Sequence, residues 1–208
     1  MSENSTPFES AIGPPLVMIG ASIGGPGTLE QILRRFPAGF PGAILIAQHM
    51  PEGKTAELAD HLSRHTKVPV LECANAARVV SSHVYIAPGR HNMVVHRTTT
   101  HLCLTVTEAE ESQVFVPSID QLFCSGAAAV GSRSIGVVLT GIGNDGTEGL
   151  RAIRQVGGVT LAESEASAVV FGMPKHAIDS NVVDTVLPKN RLGAMILGLL
   201  LSWASGEE

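Results

Sequence analysis

The sequence predicts an α/β fold: a doubly wound, mainly parallel sheet with helices on both faces and a small antiparallel β excursion near residues 78–116. Three observations carry this. The runs Leu16–Ile19, Gly42–Gln48 and Ile135–Leu139 are apolar almost throughout, the pattern of strands buried on both faces. Strand-like and helix-like stretches alternate through most of the chain, which argues for parallel pairing with helical crossovers. Finally, 44% of the 208 residues are apolar, only 16% are charged and 22 are glycine. That is enough for one domain with a sizeable core and many tight turns.

Residues 1–15 are polar, with Pro and Gly near their end, and are expected to be a disordered or loosely docked arm. The domain proper is expected over 16–204. Its first strand, Leu16–Ile19, runs into the Gly-rich turn GASIGG. A helix over Pro26–Phe36 follows, with Leu29, Ile32, Leu33 and Phe36 at i, i+3, i+4 and i+7. The second strand, Gly42–Gln48, ends in Gln48-His49-Met50-Pro51. A helix is expected over about 52–65, with Leu58, Ala59 and Leu62 on one face, then a short strand over Val68–Leu71. His83–Ala87, Asn92–His96 and His101–Thr107 are short β-rich segments between turn residues and are expected to form an antiparallel, meander-like excursion or edge. Ser118 and Gln121 form a capping-box pattern for a helix to about Gly131. The strand Ile135–Leu139 leads into a second Gly-rich turn, Thr140-Gly141-Ile142-Gly143-Asn144-Asp145-Gly146. A helix Thr147–Val156, with Leu150, Ile153 and Val156 inward, comes next. A strand Val159–Ala162, a short helix Met173–Ile178, an edge strand Val182–Val186 and a buried last helix from about Asn190 complete the chain.

Composition removes several classes of function. A net charge of −5 and an aromatic content of 4% argue against a nucleic-acid surface. Three cysteines, Cys73, Cys103 and Cys124, have no CxxC spacing and predict reduced thiols in a cytoplasmic protein. The N-terminus lacks a signal-peptide pattern, and Leu192–Ala204 falls short of the roughly 20 residues that span a bilayer. No membrane insertion is expected. His61 and His65 are one helical turn apart, but Leu62 stands where H-E-x-x-H needs its Glu; they are expected to be a surface pair, and no metal or cofactor is expected.

In open α/β sheets, functional groups gather at the carboxyl ends of strands. Ser22, His49 and Asp145 each follow a predicted strand there. Ser attacks, His accepts and returns the proton, and Asp fixes the imidazole: these are the parts of nucleophilic acyl transfer. The chain order Ser–His–Asp differs from the Ser–Asp–His order of α/β-hydrolases, so that topology is excluded. Each residue also has a plain structural reading: a turn cap for Ser22, a core histidine for His49, an N-cap or Asx turn for Asp145. The rival class is a dinucleotide site, which wants G-x-G-x-x-G and an acidic residue near the end of the second strand. Here the spacing is G-x-x-x-G-G and that strand ends in Gln48-His49.

Six segments occur in order: I-G-A-S-I-G-G-P (19–26), Q-H-M-P (48–51), Y-I-A-P-G (85–89), P-S-I-D (117–120), L-T-G-I-G-N-D-G (139–146) and F-G-M-P (171–174). Together they resemble the catalytic domain of the chemotaxis protein-glutamate methylesterases, CheB. The resemblance implies hydrolysis of glutamate γ-methyl esters on the cytoplasmic helices of methyl-accepting chemoreceptors, with release of methanol, and often deamidation of receptor glutamines. It implies Ser22 as nucleophile, His49 as general base and Asp145 as orienting carboxylate. The family usually has Thr after the nucleophile and Met in the Asp loop. Here Ile23 and Ile142 stand there, as expected backbone donors to the oxyanion. The phosphoryl-accepting receiver domain that precedes such catalytic domains is not expected in this chain. A catalytically weak or inactive receptor-docking module is the alternative.

Overall fold

A computed structural model describes residues 13–206, so of the expected 1–15 arm residues 1–12 lie outside the described part. Pro14 and Pro15 lead directly into the domain: the Pro15 carbonyl accepts a bond from the Ala43 N–H at 3.0 Å. Arg133 Nη1 likewise donates to the Gly13 carbonyl at 2.9 Å.

In chain order the elements are β1 (Leu16–Ala21), α1 (Gly25–Leu33), β2 (Ala43–Gln48), α2 (Lys54–His65), β3 (Val70–Glu72), β4 (Ala77–Arg78), β5 (Val84–Ile86), β6 (His91–Arg97) and β7 (Leu102–Glu108). Then follow α3 (Ile119–Val130), β8 (Ser134–Val138), α4 (Thr147–Gln155), β9 (Val159–Glu163), α5 (Met173–Asp179), β10 (Thr185–Leu187) and α6 (Lys189–Ser205). Seven strands form one parallel sheet in the order β10-β9-β8-β1-β2-β5-β3. β1 and β2 are buried at every residue, as their unbroken apolar runs require. Odd residues of β1 (Val17, Ile19, Ala21) join Leu29, Ile32, Leu58 and Ile196 on the face covered by α1, α2 and α6. Leu16 and Met18 point the other way, into a core with Leu122, Phe123, Leu150 and Met173 from α3, α4 and α5. The period of two in a strand supplies both layers.

The antiparallel excursion exists as the three-stranded sheet β4-β7-β6, whose β6–β7 hairpin pairs His91 with Glu108 through Arg97 with Leu102. One expected member does not belong to it. Val84–Ile86 is a strand of the main sheet, parallel between β2 and β3, with Ile44 opposite Val84. All three of its residues are buried, which only a strand covered on both faces achieves. α6 also differs from the expected buried helix: Leu192, Gly193, Ile196 and Leu200 are buried, while Met195 and Leu201 face outward. Val156, expected inward, caps the C-terminus of α4 and is exposed. No described helix is long and apolar enough to cross a membrane.

β1 lies at the centre. The chain leaves it toward β2, β5 and β3 on one side and returns to β8 on the other. This reversal of direction opens a crevice at the carboxyl ends of β8, β1 and β2.

Candidate active site

The turn after β1 carries Ser22. Its N–H donates to the Thr140 carbonyl at 3.0 Å, and its carbonyl accepts from the Gly25 N–H at 2.9 Å and from Gln48 Nε2 at 2.8 Å. Gln48 is buried at the end of β2, so its side chain ties the Ser22 backbone to the neighbouring strand. Gly141, after β8, lies directly behind the serine: a Cβ there would fall 2.6 Å from Ser22 Cβ. A side chain at that position would press on both Ser22 and the Met173 sulfur. The Ser22 backbone is thus fixed by the turn after β8, by β2 and by the start of α1. Among the described residues Ser22 Oγ has no hydrogen-bond partner, so the Ser–His bond of acyl transfer is not formed in this state; such bonds are often long before substrate arrives.

His49 follows β2, its backbone N–H bonded to the Ala21 carbonyl at 2.9 Å. Its Nε2 is 2.9 Å from Asp145 Oδ2, with side chains 13% and 3% exposed. An ionised carboxylate only accepts, so Nε2 carries the proton and Nδ1 carries the lone pair. The ring nitrogen left able to accept a proton is therefore Nδ1, the reverse of the template in which Nδ1–H meets the carboxylate.

Asp145 precedes α4 but does not cap it; the cap residue of α4 is Gly146, with no side-chain bond. Its carboxylate instead accepts the first N–H groups of α3, from Ile119 to Oδ2 at 2.8 Å and from Asp120 to Oδ1 at 3.0 Å. These two bonds from the α3 N-terminus aim the Asp145 carboxylate at His49. Asp120 returns the arrangement: its Oδ1 accepts the Gly149 N–H in the first turn of α4 at 2.7 Å. Burial pushes the Asp120 carboxyl up to about 6; the Gly149 N–H opposes this and the Asp145 charge adds to it.

Ile23 and Ile142 sit in the two Gly-rich turns with side chains 51% and 58% exposed. Their N–H groups find no acceptor among the described residues. Thr140 couples the turns: its hydroxyl donates to the Ile23 carbonyl at 2.8 Å, and its N–H donates to the buried carboxylate of Glu163 at 3.0 Å.

Sequence reasoning missed four participants. The P-S-I-D segment does cap α3, since Ser118 Oγ accepts the Gln121 N–H at 3.1 Å, but its Ile119 and Asp120 N–H groups also hold Asp145. The Ser118 N–H goes to Asn92 Oδ1 rather than back to Gln121, so the capping box is half formed. Gln48 and Glu163 carry no local signal beyond their places at strand ends. Phe115 stacks on His49 with ring centroids 5.3 Å apart and planes 8° from parallel, from a loop 66 residues away in sequence. Beside His49 a cavity of about 610 Å³ runs past Met50 and Pro51 to Arg90 and to Glu110, Glu111 and Val114. His61 and His65 form an exposed stacked pair at 4.2 Å, with His61 Nε2 bonded to Glu30 at 2.8 Å. No group of three or more possible metal-ligating residues occurs among the described residues.

The fold and the site define a class: a doubly wound α/β protein with a serine, a histidine and a carboxylate on three neighbouring strand ends. The CheB methylesterase family model matches residues 17–196, and the chain belongs to that family. It is 44% identical over 182 residues to protein-glutamate methylesterase/protein-glutamine glutaminase 3 of Geobacter sulfurreducens, covering 88% of this chain and 49% of that protein. To the enzyme of the same description in Escherichia coli O157:H7 it is 41% identical, covering 88% of this chain and 52% of the relative. The chain thus spans about half the length of the curated relatives it matches. The crystal structure of the Thermotoga maritima CheB methylesterase catalytic domain superposes with a TM-score of 0.87 at 33% identity, over 89% of this chain and 98% of that one.

Proposed function

We propose that this chain is a carboxylic ester hydrolase that removes the methyl group from glutamate γ-methyl esters on chemoreceptor helices, releasing methanol. The observation that carries this is the His49–Asp145 pair, with Nε2 committed to the carboxylate and Nδ1 left as base, beside the turn that presents Ser22. Ser22 Oγ adds to the ester carbonyl as its proton passes to His49 Nδ1. The Ile23 and Ile142 N–H groups receive the oxyanion. Collapse expels the methoxy group, which leaves as methanol with the proton from Nδ1. Water, activated by the same nitrogen, then splits the glutamyl–Ser22 ester and restores the enzyme. A glutamine side chain follows the same course with ammonia as leaving group, which accounts for the second activity in the names of the relatives.

Membership in the family and the placement of all three residues at one crevice support this reading. The test is methanol release from methylated receptor, comparing this chain with Ser22→Ala. The unformed Ser22–His49 bond is compatible with a second reading as well, a receptor-docking module with little or no turnover. Receptor binding without methanol release from the wild-type chain would decide for it.

A further inference from the structure

We infer that Phe115 is a positioning residue that sets the plane of the His49 imidazole; this rests on His49 acting as base. The ring of His49 is attached at Cβ and bonded at Nε2. These two points define an axis, and the ring remains free to swing about it, carrying Nδ1 toward or away from Ser22. A hydrogen bond to Asp145 cannot remove that freedom. A flat surface against the ring can, and Phe115 supplies one: its plane is 8° from that of the imidazole at 5.3 Å between centroids, the offset-stacked arrangement. The contact also keeps water from one face of the base.

Phe115 is itself held on both sides. Its Cζ rests on Gly143 in the Asp145 turn, where a Cβ would come within 2.6 Å of it. Gly143 has φ of +101°, and its lack of a side chain makes the seat. On the other side, the Phe115 carbonyl accepts from Gln113 Nε2 at 2.7 Å. The Gln113 amide is paired reciprocally with that of Asn92, at 2.8 and 2.9 Å. Asn92 is buried in β6, and its Oδ1 also accepts the Ser118 N–H at 2.8 Å. One buried amide therefore anchors the 113–118 loop, which brings Phe115 to His49 and the α3 N-terminus to Asp145. The small antiparallel sheet, otherwise remote from the chemistry, thus sets the geometry of the base.

The test uses Phe115→Leu, which keeps apolar bulk but loses the flat face, and Gln113→Ala, which keeps the ring but unties it. Two rates are measured: methanol release from methylated receptor, and labelling of Ser22 by a small fluorophosphonate, in which the Oγ–P bond forms, fluoride leaves and the proton goes to His49. Expected is a fall of about 10- to 100-fold in kcat and in labelling rate for Phe115→Leu, less for Gln113→Ala, with KM unchanged, the scale of an ångström-size misplacement. Thermal unfolding of each variant accompanies the kinetics; if Phe115→Leu does not fold, Gln113→Ala carries the decision. Unchanged rates overturn the inference, and so does a rise in KM with labelling unaltered, which would make Phe115 a substrate contact. If the wild-type chain neither turns over nor is labelled at Ser22, the hydrolase reading itself fails and this inference with it.

Discussion

The turn after β1 and the turn after β8 are built alike and finished oppositely. Each joins a buried central strand to a nine-residue helix that starts from a glycine with no side-chain cap. In the first, Ser22 Oγ lacks a partner among the described residues while its backbone is bonded at both N–H and carbonyl. In the second, the Asp145 carboxylate is saturated by two helix N–H groups and an imidazole. In the proposed reaction the nucleophile must be free to move a proton and form a bond, and at Ser22 the hydrogen bonds fall on the main chain and leave the side chain loose. An orienting carboxylate, the role proposed for Asp145, must not move, and there the hydrogen bonds fall on the side chain. On this proposal the same strand–turn–helix unit serves both roles, and the difference comes from α3, whose first N–H groups bond to the second turn at Asp145.

The strongest test of this contrast removes the reacting groups. Ser22→Ala and His49→Ala are each expected to lower turnover by about 10⁴- to 10⁶-fold, with the double variant little worse than either, because residues acting as one unit are non-additive. Multiplicative losses, measured as methanol release, would show that the two do not share a step. Asp145→Asn is next, at about 10⁴-fold, through the wrong imidazole tautomer. Here the two turns should part company in stability. Asp145→Asn removes a buried charge from the α3 N-terminus and is expected to cost about 1–3 kcal/mol in chemical denaturation, whereas Ser22→Ala should leave the midpoint nearly in place. Equal stability losses would erase the distinction between the two turns.

Gly141→Ala tests the shared wall between the turns. The new methyl group falls 2.6 Å from Ser22 Cβ and nearer still to the Met173 sulfur, so the turn that carries the serine must shift, and a loss of about 10²-fold in kcat is expected. Substituting the exposed residues of both turns should matter less. Ile23→Thr and Ile142→Met leave the backbone donors in place and are expected to change activity by less than about tenfold, under about 1.4 kcal/mol. Recovery from near zero on Ile23→Thr would make the threonine hydroxyl itself part of the chemistry.

The smallest effect concerns Asp120, the carboxylate that faces the α4 N-terminus. Burial holds it up at about 6 against an ordinary 3.8, so the folded chain binds its proton more tightly than the unfolded chain does. The stability this contributes is complete below about pH 3.8 and is lost as the pH rises through about 6. Asp120→Asn keeps an oxygen for the Gly149 N–H and does not titrate. The fall in unfolding free energy between about pH 5 and pH 7.5 should shrink by about 1 kcal/mol relative to wild type, after allowance for the part of Asp120 that solvent reaches. An unaltered pH dependence in denaturant titrations would place the proton elsewhere.

What the sequence by itself determined is what short range controls. Unbroken apolar runs specify strands buried on both faces, glycines specify the turns, and i, i+3, i+4 spacing specifies the helices, so Ser22, His49 and Asp145 could be placed at strand ends before any fold was known. The segment Val84–Ile86 was misplaced because three apolar residues are equally good on a sheet edge or inside it; only pairing with β2, forty positions earlier, decides. The tertiary structure alone decided the rest of the site. Asp145 looks like the cap of the helix it precedes and instead caps α3, 26 residues upstream. The imidazole tautomer follows from a bond across 96 residues, and the face of His49 is covered by a phenylalanine from a loop that no periodicity marks. Local pattern is written in neighbouring residues and survives in any fold that uses them. Which carboxylate, amide or ring meets a given side chain depends on how separate elements dock, and a single sequence carries no local trace of that.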